Sequence, residues 1–193
     1  MDERKAPAKK PKQKIPRKIS PERLAGIALH YLERYASSSE NLKRVLERRV
    51  YTSIRHHGEP DQETAAQWID DLIVRYQEAG LLNDLAYAEV RARSLMNRGV
   101  AGRSIRMKLL EKGVDPDTID QALEALTEEA PDPELHAAIK LARRRRLGPF
   151  ADPDKREANS EKHLAAMARS GFSYDMAKRV IECDDKDELE ELL

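Results

Sequence analysis

Residues 81–114, LLNDLAYAEVRARSLMNRGVAGRSIRMKLLEKGV, decide the fold class of this chain. Apolar residues recur there at spacings of three and four in two short runs, which is the period of an amphipathic helix. Gly99 and Gly102 lie between the runs and predict the end of one helix and the start of the next. The inward positions of the first run are Leu85, Ala88, Ala92, Leu95 and Met96. The stretch therefore predicts two short helices joined by a tight turn.

The outward faces of these two helices are basic. Between Leu85 and Gly113 the chain has seven Lys or Arg residues and two Glu residues. Guanidinium groups pair bidentately with carboxylates and phosphates, so this face predicts a binding surface for an acidic partner. Its candidate residues are Arg91, Arg93, Arg98, Arg103, Arg106 and Lys108. The alternative is a solvated helix face, because exposed ion pairs contribute only about 0 to 1 kcal/mol.

A second basic run is formed by four consecutive arginines, Arg143, Arg144, Arg145 and Arg146. On a helix they would spread over all sides, so at least one is expected to lie against the packing face. A contact with a partner is one interpretation of the run. The other is that it complements the C-terminal end of its helix dipole and the acidic C-terminus.

Helix start and stop signals continue on both sides. Four Ser-Pro or Asp-Pro pairs, beginning at Ser20, Asp115, Asp132 and Asp152, each place a capping oxygen before a proline at the first helical position. No window alternates with the period of a strand, which predicts an all-α fold. The first helix is predicted to bury Leu24, Ile27, Ala28, Tyr31, Leu32 and Tyr35.

The pattern also repeats. Aligning Gly113 with Gly171 pairs Leu109 with Met167 and Ile119 with Ala177, and a further shift pairs Ile105 with Leu42. Three tandem three-helix repeats, each too small for a secure core alone, predict an elongated, curved helical body. The predicted divisions are a disordered basic tail at residues 1–18, repeats at 19–83, 84–130 and 131–183, and an acidic C-terminal tail at 184–193.

Composition restricts the function. The chain has 193 residues, a net charge of zero and one cysteine, Cys183, so it cannot form an internal disulfide. It lacks a long apolar run and a secretory signal, which predicts a cytoplasmic protein without a membrane segment. The five histidines do not have the spacing of a metal site, and the chain has no phosphate-loop motif. Gly99 and Gly102 follow a helix, which is the wrong context for a dinucleotide fingerprint. We therefore expect no catalytic residues, no metal and no cofactor, hence no enzyme.

Three segments resemble the RecX family, bacterial proteins that modulate the RecA recombinase: SSSENLKRVLERRV, residues 81–114, and LHAAIKLARRRRLGPF. The resemblance covers about residues 19–182. It implies tandem three-helix repeats, binding in the groove of the RecA filament on DNA, lower recombinase and coprotease activity, and damping of the SOS response.

The residues themselves leave a second function open. The basic helices and tail could bind phosphates as a helical DNA-binding protein that acts independently of RecA. Weak direct DNA binding is also compatible with the first function. A third, neutral interpretation is a scaffold of helices. The absence of a heptad seam favours a monomer.

Overall fold

A computed structural model describes residues 15–129 and 131–193, and the predicted disorder of the basic tail falls mostly on residues outside these ranges. The described part is all-α and contains no strand. Unit 1 consists of α1 (Pro21–Leu32), α2 (Ser39–His57) and α3 (Gln62–Glu78). Unit 2 consists of α4 (Asp84–Asn97), α5 (Gly102–Glu111) and α6 (Pro116–Glu129). The predicted fold class, an α-helical array of three-helix repeats, is confirmed.

Unit 3 has more elements than the other two. Its three main helices are α7 (Pro133–Arg145), α9 (Ser160–Arg169) and α10 (Tyr174–Ile181). Between α7 and α9 lie a 3-10 turn at Gly148–Phe150, the short helix α8 (Pro153–Arg156) and a second 3-10 turn at Glu157–Asn159. The chain ends with α11 (Lys186–Glu190), whose Leu189 is buried against the same core. The acidic C-terminal segment is thus anchored by one apolar side chain.

The predicted helix caps are confirmed. The Ser20 hydroxyl accepts a hydrogen bond from the Arg23 amide, and the carboxylates of Asp115, Asp132 and Asp152 accept from amides in the first turns of their own helices. Such side chains satisfy amides that no helical carbonyl can reach. At the C-terminal end of α2, Gly58 adopts φ 73° and closes the helix.

Each unit has its own apolar core. In unit 1 the fully buried side chains include Leu24, Leu42, Leu46 and Ile69. In unit 2 they include Ile105, Leu109 and Ile119, and in unit 3 Ile139, Met167 and Val180. The residues that the repeat aligns, Leu109 with Met167 and Ile119 with Ala177, are buried alike. Burial of about 25 cal/mol per Å² of apolar surface is the main source of stability in such units.

One expectation for unit 1 is wrong. Tyr35 is 56% exposed, because α1 ends at Leu32 and the chain leaves the helical path before the residue could reach the core. Residues 16–18, assigned to the tail, contact the end of α2. The Pro16 carbonyl lies 2.7 Å from the His57 ring nitrogen, and Lys18 forms an ion pair with Glu59.

The units are joined by a contact that occurs twice. At the first joint the Ser39 amide, which opens α2, donates to a carboxylate oxygen of Asp84 at the start of α4, over 2.7 Å. At the second joint the Gly102 amide, which opens α5, donates to Glu134 in the first turn of α7, over 2.9 Å. In both cases an acidic side chain of the following unit satisfies the N-terminus of a helix in the preceding unit.

The Glu134 contact gives a prediction about stability. Burial raises the pKa of the Glu134 carboxyl, and the hydrogen bond from Gly102 opposes this. Glu134→Ala should lower the free energy of unfolding by about 1 kcal/mol, because α5 has no side-chain cap of its own. Glu134→Gln keeps an acceptor oxygen and removes the buried charge, so its loss at neutral pH should be smaller.

Urea unfolding at acidic and neutral pH tests this prediction. A carboxyl whose folded pKa is raised stabilises the fold most at low pH and loses that contribution as pH rises through the folded pKa. Wild type should therefore lose stability relative to Glu134→Gln on going from acidic to neutral pH. Equal losses for the two variants at neutral pH would contradict the capping role.

Candidate partner-binding surface

The basic residues of unit 2 do not all face one groove. Arg103 and Lys108 of α5 line a groove of about 370 Å³ together with Met107, and Phe172 forms its opposite wall. Glu111 also lines this groove, and its main-chain carbonyl accepts from Arg44. Met107 is an exposed apolar side chain between the two cations. This groove therefore offers cationic and apolar contacts side by side.

Arg106, a predicted binding residue, is already engaged. Its guanidinium forms an ion pair with Asp120 of α6 and thereby joins two helices of unit 2. Arg93 is half-buried in the same unit. The two residues are consequently less suited to contact a partner than the exposed cations around them.

Arg91 lies in a different groove, at the first joint. This groove, of about 330 Å³, is lined by Tyr35 and Ala36 of unit 1 and by Tyr87, Val90 and Arg91 of α4. Burial raises the pKa of Tyr87, whereas the charge of Arg91 lowers it. Arg91 and Arg103 thus belong to separate surfaces.

The four-arginine run differs from its prediction in one respect. All four side chains are exposed, so none lies against the packing face. The reason is that α7 ends at Arg145 and Arg146 adopts φ 55°, which turns the chain away before a full turn of arginines is completed. Arg144 reaches unit 2, and Arg145 reaches the end of α9 within unit 3. Arg144 donates to the Arg98 carbonyl, and Arg145 donates to the Ser170 hydroxyl over 3.4 Å.

Further contacts connect α5 and α7 to Ser170, the residue that follows α9. Ser104, next to Arg103, donates to the Ser170 carbonyl over 3.0 Å, and the Ser170 hydroxyl accepts from Arg145. We call the exposed cations gathered there the joint surface. It consists of Arg98, Arg103, Lys108, Arg144 and Arg145. Within the described part of the chain none of the five forms an ion pair, so their charges are available to an acidic partner.

Sequence reasoning missed a second basic surface, on unit 1. A groove of about 960 Å³ between α1, α2 and the preceding segment is lined by Arg17, Arg23, Arg34, Arg49, Tyr31 and Tyr35. A signal was present, because Arg23, Ile27, Tyr31 and Arg34 recur at spacings of four, four and three. It was overlooked because the tyrosines were assigned to the core.

A family model described as RecX, second three-helix domain, matches residues 83–123, which include α4, α5 and half of α6. The regulatory protein RecX of Myxococcus xanthus is 45% identical over 186 residues, covering 94% of this chain and 98% of that protein. The chain belongs to the RecX family. The RecX protein of Agrobacterium fabrum is 35% identical over 100 residues, about half of each chain.

Solved RecX structures share the fold. The crystal structure of RecX from Lactobacillus salivarius superposes with a TM-score of 0.62 at 23% identity and covers 89% of this chain and 97% of its own. A second RecX crystal structure gives a TM-score of 0.57 at 21% identity, over 83% of this chain and 70% of its own. At these identities the likeness establishes the architecture of this RecX family member.

Two further observations concern the described residues alone. They bring together no group of three or more His, Cys, Asp or Glu side chains that could hold a metal ion. Among them, no helix has both the length and the apolar character needed to cross a membrane.

Proposed function

We propose that this RecX family member binds the RecA filament on DNA and lowers its recombinase and coprotease activities, thereby damping the SOS response. The single observation that supports this most is the 45% identity to a regulatory protein RecX over nearly the whole of both chains. In this proposal the protein acts in the cytoplasm as a monomer, by binding and without catalysis or a cofactor.

The joint surface is our proposed contact site. A filament groove presents carboxylates of the protein and phosphates of the DNA, and guanidinium groups recognise both bidentately. Arg98, Arg103 and Arg145 are exposed at helix ends, where their guanidinium groups can meet a partner. The other predicted arginines stay predictions of lower priority, because they are engaged elsewhere or lie away from Ser104 and Ser170. These are Arg91, Arg93, Arg106, Arg143 and Arg146.

The test is the ATPase rate of RecA on single-stranded DNA while the purified protein is titrated in at fixed moderate salt. We expect inhibition well below one copy per RecA subunit, because a protein that caps or breaks filaments silences many subunits at once. Inhibition only at equal stoichiometry would instead indicate groove occupancy subunit by subunit. No inhibition at excess protein would contradict the proposal.

A DNA-binding function independent of RecA is the second candidate, and the unpaired arginines of the joint surface favour it. About six phosphate contacts on duplex DNA would give a log–log salt slope near −5. A mixed contact with protein should give a shallower slope and little binding to bare duplex. Equal affinity for bare duplex and filament would favour this second function.

A further inference from the structure

We infer that the groove of unit 1, between α1 and α2, is a binding site for single-stranded nucleic acid. This site is separate from the joint surface and does not rest on the proposed binding to RecA. Four arginines, two tyrosine rings and a buried nitrogen without a hydrogen-bond partner occur together in this groove.

The charge of the groove is strongly one-sided. Four arginines line it, whereas its one acidic residue, Glu22, already accepts a hydrogen bond from the Ser20 hydroxyl over 2.7 Å. Within the described chain, Arg17, Arg34 and Arg49 form no ion pair. Nearby Lys18 forms an ion pair with Glu59, so the cations available to a ligand at this place are the arginines that line the groove. Positive charge gathered in one groove attracts a polyanion, and the arginines can contact its successive phosphates.

Two tyrosines supply surfaces on which bases can stack. The rings of Tyr31 and Tyr35 have centroids 5.1 Å apart and planes inclined by 42°. The Tyr31 hydroxyl accepts from the Asn41 amide over 3.1 Å, which holds that ring in place. Tyr35, by contrast, is 56% exposed at the edge of the groove. Stacking on an aromatic side chain contributes about 1–3 kcal/mol per base and requires a base that is free of its duplex partner.

Arg23 points to the same ligand chemistry. Its Nε is buried and has no hydrogen-bond partner within the described residues. A buried donor without an acceptor costs about 1–3 kcal/mol, so this guanidinium has hydrogen-bonding capacity that the described residues leave unused. An acidic peptide could also satisfy the arginines, but it would leave the exposed tyrosine ring without a role. The aromatic rings therefore favour a nucleic acid strand.

The groove also continues past unit 1. Tyr35 lines both this groove and the smaller groove at the first joint, where Arg91 lies. A nucleic acid strand that stacks on Tyr35 can therefore continue towards Arg91 of unit 2. It would then contact cations of both units. The exposed Val90 and half-buried Tyr87 provide apolar contacts along that path.

Fluorescence anisotropy with labelled oligo(dT) of about 12 nucleotides tests the site on the full chain without RecA. Four phosphate contacts predict a log–log salt slope of about −3 for a single strand. Arg34→Glu with Arg49→Glu should weaken binding at least tenfold and reduce the slope to about half. Tyr35→Ala should weaken binding about tenfold, whereas Tyr35→Phe should bind like wild type.

Matched controls lie on the other side of α2. Arg48 and the exposed Tyr51 line the groove between α2 and α3, so Arg48→Glu and Tyr51→Ala change the same charge and ring at a different place. Both should bind like wild type, and oligo(U) should compete through the same groove. Weakening by Arg48→Glu as large as that by Arg34→Glu with Arg49→Glu would overturn the site, as would displacement by polyglutamate at the concentration that oligo(dT) requires.

Binding of oligo(dT) and inhibition of RecA can be tested separately with the same variant. The Arg34→Glu, Arg49→Glu variant should still inhibit the RecA ATPase if the joint surface carries that activity. A variant that loses oligo(dT) binding but keeps inhibition supports two sites. Unchanged oligo(dT) binding by this variant overturns the inference and leaves the proposal on RecA as it stands.

Discussion

Replacing Arg103, Lys108 and Arg145 together with glutamate should weaken binding to the RecA filament about a hundredfold, or about 2.7 kcal/mol. The three side chains come from two units: Arg103 and Lys108 line a groove with Gly171, and Arg145 contacts the preceding residue, Ser170, so one acidic partner surface could meet all of them. Reversing a charge turns each attraction into a repulsion, and loss of one interfacial charge pair often costs 1 kcal/mol or more. Binding of the labelled variant to preformed filaments on single-stranded DNA measures this.

Three exposed arginines of unit 1, Arg48, Arg55 and Arg75, provide the matched control. Their reversal changes net charge by the same amount and should leave filament binding within about threefold of wild type, because exposed charges at a distance are screened. Arg106 is left out of the test set, since its reversal would place a glutamate against Asp120 and disturb α5 and α6. Undiminished binding by the test variant would move the site to Arg91 or to Arg143 and Arg146.

Gly99→Ala should lower the free energy of unfolding by about 4 kcal/mol. Gly99 has φ 73°, and a Cβ there would lie 2.7 Å from the Leu141 amide nitrogen and 2.8 Å from the Ala137 carbonyl oxygen. Both atoms belong to the backbone of α7 and cannot rotate away, so strain in the left-handed region adds to steric overlap. Thermal unfolding should show a drop in Tm of about 12 °C.

Gly58→Ala separates the two contributions. Gly58 also has φ 73°, but no atom lies within 4 Å of the position that its Cβ would take. This variant should lose only the backbone part, about 1 kcal/mol. Similar losses for the two variants would mean that the second joint tolerates an added methyl group and that close approach of α7 to Gly99 does not stabilise it.

Much of the fold was predictable because helix caps and helix stops are local. Ser20, Asp115 and Asp132 cap their own helices, and the apolar period identifies each inward face. Tyr35 was misplaced because the helical period was extended past Leu32, where the chain turns. The apolar period shows which face of a helix is buried, but it does not show at which residue the helix ends.

The binding residues were harder to predict, because their availability depends on contacts between distant segments. Nothing local reveals that Arg106 pairs with Asp120 while Arg103 remains unpaired. The grouping of Arg103 with Arg145 depends on Ser170, which is far from both in sequence. The assignment of either surface to a partner stays a prediction until the variants are measured.

The two joints share the contact from an acidic side chain to a helix N-terminus, yet they differ beside it. The repeat aligns Ala36 at the first joint with Gly99 at the second. At the second joint α7 packs closely on Gly99, whereas the groove that contains Arg91 lies at the corresponding place of the first joint. The first joint is held instead by hydrogen bonds from the Ser38 hydroxyl to the Lys112 carbonyl and from Arg44 to the Glu111 carbonyl, so unit 1 should change its orientation only where these bonds break. A ligand that spans the first joint would restrict that motion, and the entropy lost would lower its affinity.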